Sequence, residues 1–262
     1  MSDVARTKAP SAEYFDTWYA DTVGSQAKDE IQQRHLGLPS HVLSTSSLTW
    51  DAVGEVCTEL RLAPGQLLLD LACGRGGYGL EVSARTQARL VGVDFSGEAV
   101  SQASKLARQL AVDAQFAVGD LAATGLGSGS VDAVMCIDSI QFAVDPTAAY
   151  AEIRRVLNPG GRVVMTCWEP VRPDDDRLVE RLRIVDLDDG LRDAGFNEVE
   201  VRERPAWRAA ELAMWAEAAD LDPGDDLALL SFKNEAVRVL ATASLVRRVL
   251  AVATAPLTAG DA

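Results

Sequence analysis

Short apolar runs recur through the middle of this chain, and each is closed by a polar or glycine-containing turn. They cover residues 67–71, 88–94, 115–120, 130–138 and 162–168. Continuous apolar runs of this length predict strands buried on both faces. Between them the apolar positions switch to helical spacing, at Ala99, Ala103, Leu106 and Leu110, and again at Ala149, Ile153, Val156 and Leu157 behind Pro146. Asn158-Pro-Gly-Gly161 reads as the stop of that second helix. An earlier helix runs through Trp50, Val53, Val56 and Leu60, with possible caps at residues 44–47 and a stop at Pro64-Gly65. Alternating strands and helices predict an α/β fold, a parallel sheet covered by helices on both faces. Beyond Trp168 the pattern loosens into a short helix at 186–194 and an alternating strand at 197–202. Mostly helical residues follow to 246, broken at 222–226, and a last strand covers 247–254.

Length and charge narrow the picture. The 262 residues suit one large domain with elaborations, and 48% hydrophobic residues suffice for a real core. A net charge of −14 argues against a nucleic-acid partner and against an anionic membrane surface. A small or cationic ligand is more compatible, although acidity also serves plain solubility. Cys57, Cys73, Cys136 and Cys167 form no C-x-x-C pair, and with only His35 and His41 present no metal site is expected. The first ten residues read as a loose leader without the apolar core of a secretory signal, and no run is long enough to span a bilayer. A reduced, cytoplasmic protein, monomer or homodimer, is the expectation.

The chemistry concentrates where the first strand breaks into Gly74, Gly76, Gly77 and Gly79. Glycines at a strand-to-helix turn let the backbone approach a ligand, and the free N–H groups of the next helix face it. Acids close or follow the strands at Asp70, Asp94, Asp120 and Asp138. In a parallel sheet these positions share the carboxyl edge, where α/β folds bind ligands. Gly74-x-Gly76-x-x-Gly79 with Asp94 also satisfies the dinucleotide pattern of an NAD(P)-dependent oxidoreductase. Asp70 weighs against that, because a pyrophosphate there meets a negative charge that a cationic sulfonium amino acid would welcome.

Leu68-Leu-Asp70-Leu-Ala-Cys-Gly74-Arg-Gly76-Gly, Val91-Gly-Val-Asp94-Phe-Ser96, Gly119-Asp120-Leu121, Cys136-Ile-Asp138 and Leu157-Asn-Pro-Gly-Gly161 stand in the order of known motifs. Together they resemble the class I S-adenosylmethionine-dependent methyltransferases, and within them the UbiE-like small-molecule group. The resemblance implies a Rossmann-like, seven-stranded, mostly parallel sheet whose last strand runs antiparallel at the sheet edge. It implies an N-terminal helical cap at 1–63, a cofactor-binding core at 64–204, a helical insertion at 205–246 as a candidate lid, and the last strand and tail at 247–262. Ala72, Gly74 and Gly76 would hold the methionine part, with Asp70 near its amine and the main chain at Ile137 and Asp138 facing it. Asp94 would accept the ribose hydroxyls, and Phe95 and Ser96 would flank the adenine. Gly119, Asp120 and Leu121 would meet its amine and ring.

The implied reaction is an in-line methyl transfer to O, N or C of a small metabolite, with a secondary-metabolism intermediate as the expected acceptor. A base is needed only if the acceptor must lose a proton. His41 and Asp138 are the catalytic candidates, with a surface or cap histidine as the plain alternative for His41. Tyr14, Trp18, Tyr19, Gln141, Trp168 and Glu169 are candidate acceptor contacts, and Trp168 serves equally as a core residue. A non-catalytic protein that retains the fold remains a third reading.

Overall fold

The computed structural model describes residues 10–22 and 25–257. The leader and the end of the tail lie outside the described residues. Seven strands form one sheet in the order β3-β2-β1-β4-β5-β7-β6. They are β1 (Leu67–Leu71), β2 (Arg89–Asp94), β3 (Ala114–Val118), β4 (Val131–Ile137), β5 (Leu157–Pro170), β6 (Asn197–Glu203) and β7 (Val246–Thr254). The first five run parallel, and β7 is antiparallel to both of its neighbours. The expectation of an edge position for the last strand is corrected here: β7 lies inside the sheet and β6 forms the edge. Composition explains the exchange. β7 is apolar on both faces and almost wholly buried, whereas β6 carries acids and remains largely exposed.

Alternate residues of the central strands face opposite layers. Leu68, Met135, Val164, Leu250 and Val252 join one cluster with α2 (Gln26–Leu36), α3 (Trp50–Leu60), α4 (Gly77–Thr86) and α9 (Pro205–Asp220). Leu69, Val134, Cys136, Met165 and Ala251 join the other with α6 (Pro146–Val156) and α8 (Leu187–Asp193). Period-2 alternation inside apolar runs thus fills two cores from one sheet. The remaining helices are α1 (Ala12–Thr22), α5 (Gly97–Leu110), α7 (Glu180–Arg183) and α10 (Leu227–Ala241).

Two local readings change. The cap of α3 is Thr49, whose hydroxyl accepts from the Ala52 N–H at 3.2 Å, rather than a residue of 44–47. Asn158-Pro-Gly-Gly161 belongs to β5 as a bulge: pairing passes from Val131–Leu157 to Ala133–Arg162 across it, with Gly160 at φ 73°. The helix ends at Val156, before this segment. No helix among the described residues is long and apolar enough to cross a membrane.

Candidate cofactor and acceptor site

The glycine turn between β1 and α4 is built on backbone that side chains rarely allow. Ala72 (φ 59°), Gly74 (φ 52°) and Gly76 (φ 78°) are all left-handed, and Gly76 caps α4. Gly77 is required for a different reason, since a Cβ there would lie 2.2 Å from the Leu43 carbonyl oxygen. Backbone cannot yield as a flexible side chain can. Gly77→Ala is therefore expected to destabilise the protein by about 1–3 kcal/mol, the usual cost of overpacking. Thermal unfolding checks this, and an unchanged Tm would contradict the close approach.

Asp94 ends β2 and organises the turn. One carboxylate oxygen accepts the Gly74 N–H at 2.8 Å and the other the Ser96 N–H at 2.9 Å. Ser96 caps α5 by accepting from the Ala99 N–H, and its hydroxyl donates to Asp16 of α1 at 2.6 Å. Asp16 also accepts the Glu98 N–H at 3.1 Å. These bonds hold its carboxyl below the usual range, Ser96 first. They tie α1 to the first turn of α5 beside the carboxyl edge. From α1, Phe15 packs on Phe95 at 5.2 Å and on Phe142 at 5.4 Å between ring centroids. The buried Tyr19 hydroxyl lies beside Gly74, 3.5 Å from the Thr45 hydroxyl. Tyr14 and Trp18 flank Phe15 in the same cluster.

Asp70 is buried at the end of β1 under the same turn. Burial and the charge of Asp94 push its carboxyl up to about 7, while the Gly79 N–H pulls it down. Burial also raises Asp94, against the N–H groups that it accepts. The pH dependence follows from the sign. An unfolded aspartate titrates near ~3.9, so folding favours the protonated acid and the penalty grows from there to about 7, then stays level. Asp70→Asn is expected to stabilise the unliganded protein by about 2–4 kcal/mol at pH 8 and by about a third of that at pH 5. Denaturant unfolding at the two pH values checks this, and an equal gain at both would contradict it.

The other candidates fall into separate environments. Asp138 (φ 56°) follows β4 and is buried. Its carboxylate accepts the Ser46 hydroxyl, the Thr166 hydroxyl at 2.6 Å and the Ser47 N–H at 3.4 Å. It also faces both terminal nitrogens of the fully buried Arg248, at 2.6 and 2.7 Å. The Arg248 guanidinium lies 4.3 Å from the Trp168 ring centroid. The Trp168 indole donates to Glu211 of α9 at 3.0 Å, and Glu211 also accepts the Trp215 indole and pairs with Arg208 at 3.0 Å. Gln141 donates to the Asp138 carbonyl at 2.7 Å and accepts the Cys167 thiol. Glu169 accepts the Leu187 N–H at 2.9 Å and pairs with Arg247, so it caps structure.

His41 is half-exposed, and its ring nitrogen lies 3.2 Å from Glu81 of α4. Asp120 lies beyond β3 in an exposed turn, where it accepts the Ala122 N–H at 2.9 Å. Gly119 donates to the Asp94 carbonyl, Leu121 is buried, and Ile137 ends β4. Phe15 belongs to the aromatic stretch 13–19 that stands out in the sequence, whereas Asp16, Phe142, Arg248 and Glu211 were not singled out for any role. For Arg248 a signal existed, because it shares strand parity with the buried Leu250 and Val252. For Glu211, spacing with Trp207, Met214, Trp215 and Ala218 on one helical face was the signal.

A family model described as a methyltransferase domain matches residues 69–165. Phosphoethanolamine N-methyltransferase 3 of Arabidopsis thaliana is 32% identical over 171 residues, 62% of this chain and 34% of that protein. The chain thus spans about a third of the length of this curated relative. Among solved structures, the 4+2 cyclase SpnF superposes with a TM-score of 0.72 at 20% identity, covering 95% of this chain and 98% of that one. Phosphoethanolamine N-methyltransferase 2 of Haemonchus contortus, solved with S-adenosylhomocysteine and phosphomonomethylethanolamine, gives 0.72 at 18% identity, covering 92% and 60%. At these identities the two structures show the fold. The match to the methyltransferase-domain model covers the segment from β1 into β5, which carries the glycine turn and the ordered motifs.

Proposed function

We propose that this protein is an S-adenosylmethionine-dependent methyltransferase acting on a small molecule. The observation that carries the reading is the buried pair Asp70 and Asp94 beneath a left-handed glycine turn. Asp94 suits a ribose in either cofactor, but the buried Asp70 beneath the turn sets a negative charge against a pyrophosphate and favours a cation. The residues fit the cofactor chemically. Main chain at Ala72, Gly74 and Gly76, with Asp70, would hold the cationic amino-acid part, and Asp94 the ribose hydroxyls. Phe95 and Ser96 would flank the adenine, with Gly119, Asp120, Leu121 and Ile137 completing the contacts. Bound there, the cofactor supplies an electrophilic methyl on a sulfur that leaves as a neutral thioether.

The chain's own task is to orient the acceptor and exclude water. The aromatic face of α1, including Tyr14, Trp18 and Tyr19, supplies the water-excluding wall. Asp138 is fully engaged by Arg248, Thr166, Ser46 and Ser47, so we assign it a positioning role for the main chain at the end of β4. His41, directed to Glu81, is given no proton-transfer role. The acceptor then needs a nucleophile that reacts without a buried base, such as an amine, a thiol or a stabilised carbanion.

The division into a cap at 1–63, a core at 64–204, an insertion at 205–246 and a last strand and tail at 247–262 belongs to this reading. So do the UbiE-like grouping, a natural-product acceptor and a cytoplasmic site of action. The pair α9 and α10 packs on α2, with Trp207, Trp215 and Phe232 in the same apolar cluster as Ile31 and Leu36, which supports a cover rather than a separate unit. Equilibrium titration with S-adenosylhomocysteine and with NADH tests the cofactor. Micromolar binding of the first with none of the second is expected, and the reverse would move the protein to the oxidoreductases. Because the fold also occurs in a protein named as a cyclase, detection of methylated product across an acceptor panel tests the reaction itself. Cofactor binding with no methylated product from any acceptor would favour a non-methylating role.

A further inference from the structure

We propose that the acceptor carries an oxyanionic group, a carboxylate or a phosphate, and that Arg181 binds it. The inference rests on the methyltransferase reading above and names the chemical class of the molecule brought to that site. Arg181 lies in α7 and is half-buried. Its guanidinium stands 4.8 Å from the Phe142 ring centroid. Among the described residues it makes no hydrogen bond and no ion pair. Arg248 has Asp138, Arg247 has Glu169, Arg208 has Glu211 and Arg75 has Asp29, whereas Arg183 of the same helix is, among the described residues, unpaired like Arg181. The groups facing Arg181 at longer range are Glu235 and Arg238 of α10, Tyr14 of α1 and Cys167 of β5. Glu235 is already held by Arg238. Arg154 and Arg183 are likewise half-buried without a carboxylate among the described residues, but of the three only Arg181 lies over an aromatic ring, and a half-buried guanidinium so placed favours an anionic partner.

Its position gives that partner an address. Phe142, on which Arg181 rests, meets Phe15, and Phe15 meets Phe95 at the end of β2. Arg181 and Gln141 line the same small cavity, about 10 Å³, with Ile140 and Tyr150. Gln141 in turn holds the Asp138 carbonyl. The cation therefore stands at the rim of the aromatic cluster, beside the loop that follows β4. A guanidinium stacked on a ring keeps its edge donors for a planar fork, the geometry that suits a carboxylate or phosphate. The aromatic rings beside it suit an apolar or aromatic body attached to that anion.

The test uses three probes of one shape, benzoate, phenyl phosphate and neutral benzamide, titrated into the protein saturated with S-adenosylhomocysteine. One or both anions are expected to bind at least tenfold more tightly than benzamide, and which of them does so distinguishes carboxylate from phosphate. Arg181→Gln is expected to abolish that preference, with S-adenosylhomocysteine affinity as the check that the variant is folded. Equal binding of benzamide, no binding of any probe, or a preference that survives in Arg181→Gln would each overturn the assignment. Failure of S-adenosylhomocysteine to bind the wild-type protein is a different result and strikes the cofactor reading instead.

Discussion

Replacing Arg248 by methionine is expected to cost about 3–5 kcal/mol of stability, the usual penalty for removing one partner of a buried pair. Arg248 is 1% exposed and lies between two buried acids, Asp138 on one side and Glu211 beyond Trp168 on the other. Burial disfavours its charge, but Asp138 and Glu211 more than offset that and raise its pKa. Without the guanidinium, Asp138 keeps its hydroxyl and N–H donors but loses its counter-charge. The loss is therefore an uncompensated buried carboxylate, more than a missing contact. The double variant Asp138→Asn with Arg248→Met removes both charges and is expected to recover a large part of the stability. Denaturant unfolding of the three variants measures the coupling. Additive losses would mean that the two residues act independently, against the geometry described here.

Asp94→Ala is expected to weaken S-adenosylhomocysteine binding by about 1.5–3 kcal/mol, roughly 10- to 150-fold. The carboxylate serves two purposes at once. It ties Gly74 and Ser96 together through their N–H groups, and its remaining lone pairs are those proposed to accept the ribose hydroxyls. Asp94→Asn is no mild replacement, because its amide NH₂ would face one of two N–H donors that need an acceptor. Both variants are expected to lose affinity, with the alanine variant losing discrimination against a 2′-deoxy analogue as well. Calorimetric titration reads both numbers, and an undiminished affinity in Asp94→Ala would remove this residue from the cofactor site.

Much of the sheet was legible because its signal is local. The apolar runs at 67–71, 131–137 and 246–254 are hydrophobic on both parities, which only a strand covered on both faces needs. The glycine turn was legible for the same reason, since left-handed backbone at Gly74 and Gly76 demands glycine locally. The position of β7 was not legible. Direction follows from the connecting helices, but whether a strand takes the edge depends on which neighbour completes its hydrogen bonds, a comparison between β6 and β7 that no single segment contains.

The same boundary divides the site. The placement of Asp70 and Asp94 on one edge was legible because strand ends gather there by topology alone. Asp138 looked equivalent by that criterion, yet its role is decided by Arg248, 110 residues away, and by Ser46 and Thr166. His41 looked chemical as one of two histidines, and tertiary packing set it against Glu81. Sequence by itself determined where the left-handed glycine turn and the acids of the sheet lie, because those depend on residue size and strand period. Only the folded chain decided which charges are neutralised by others and which, like Arg181, are left without a carboxylate among the described residues, because charge pairing depends on distances between segments remote in sequence.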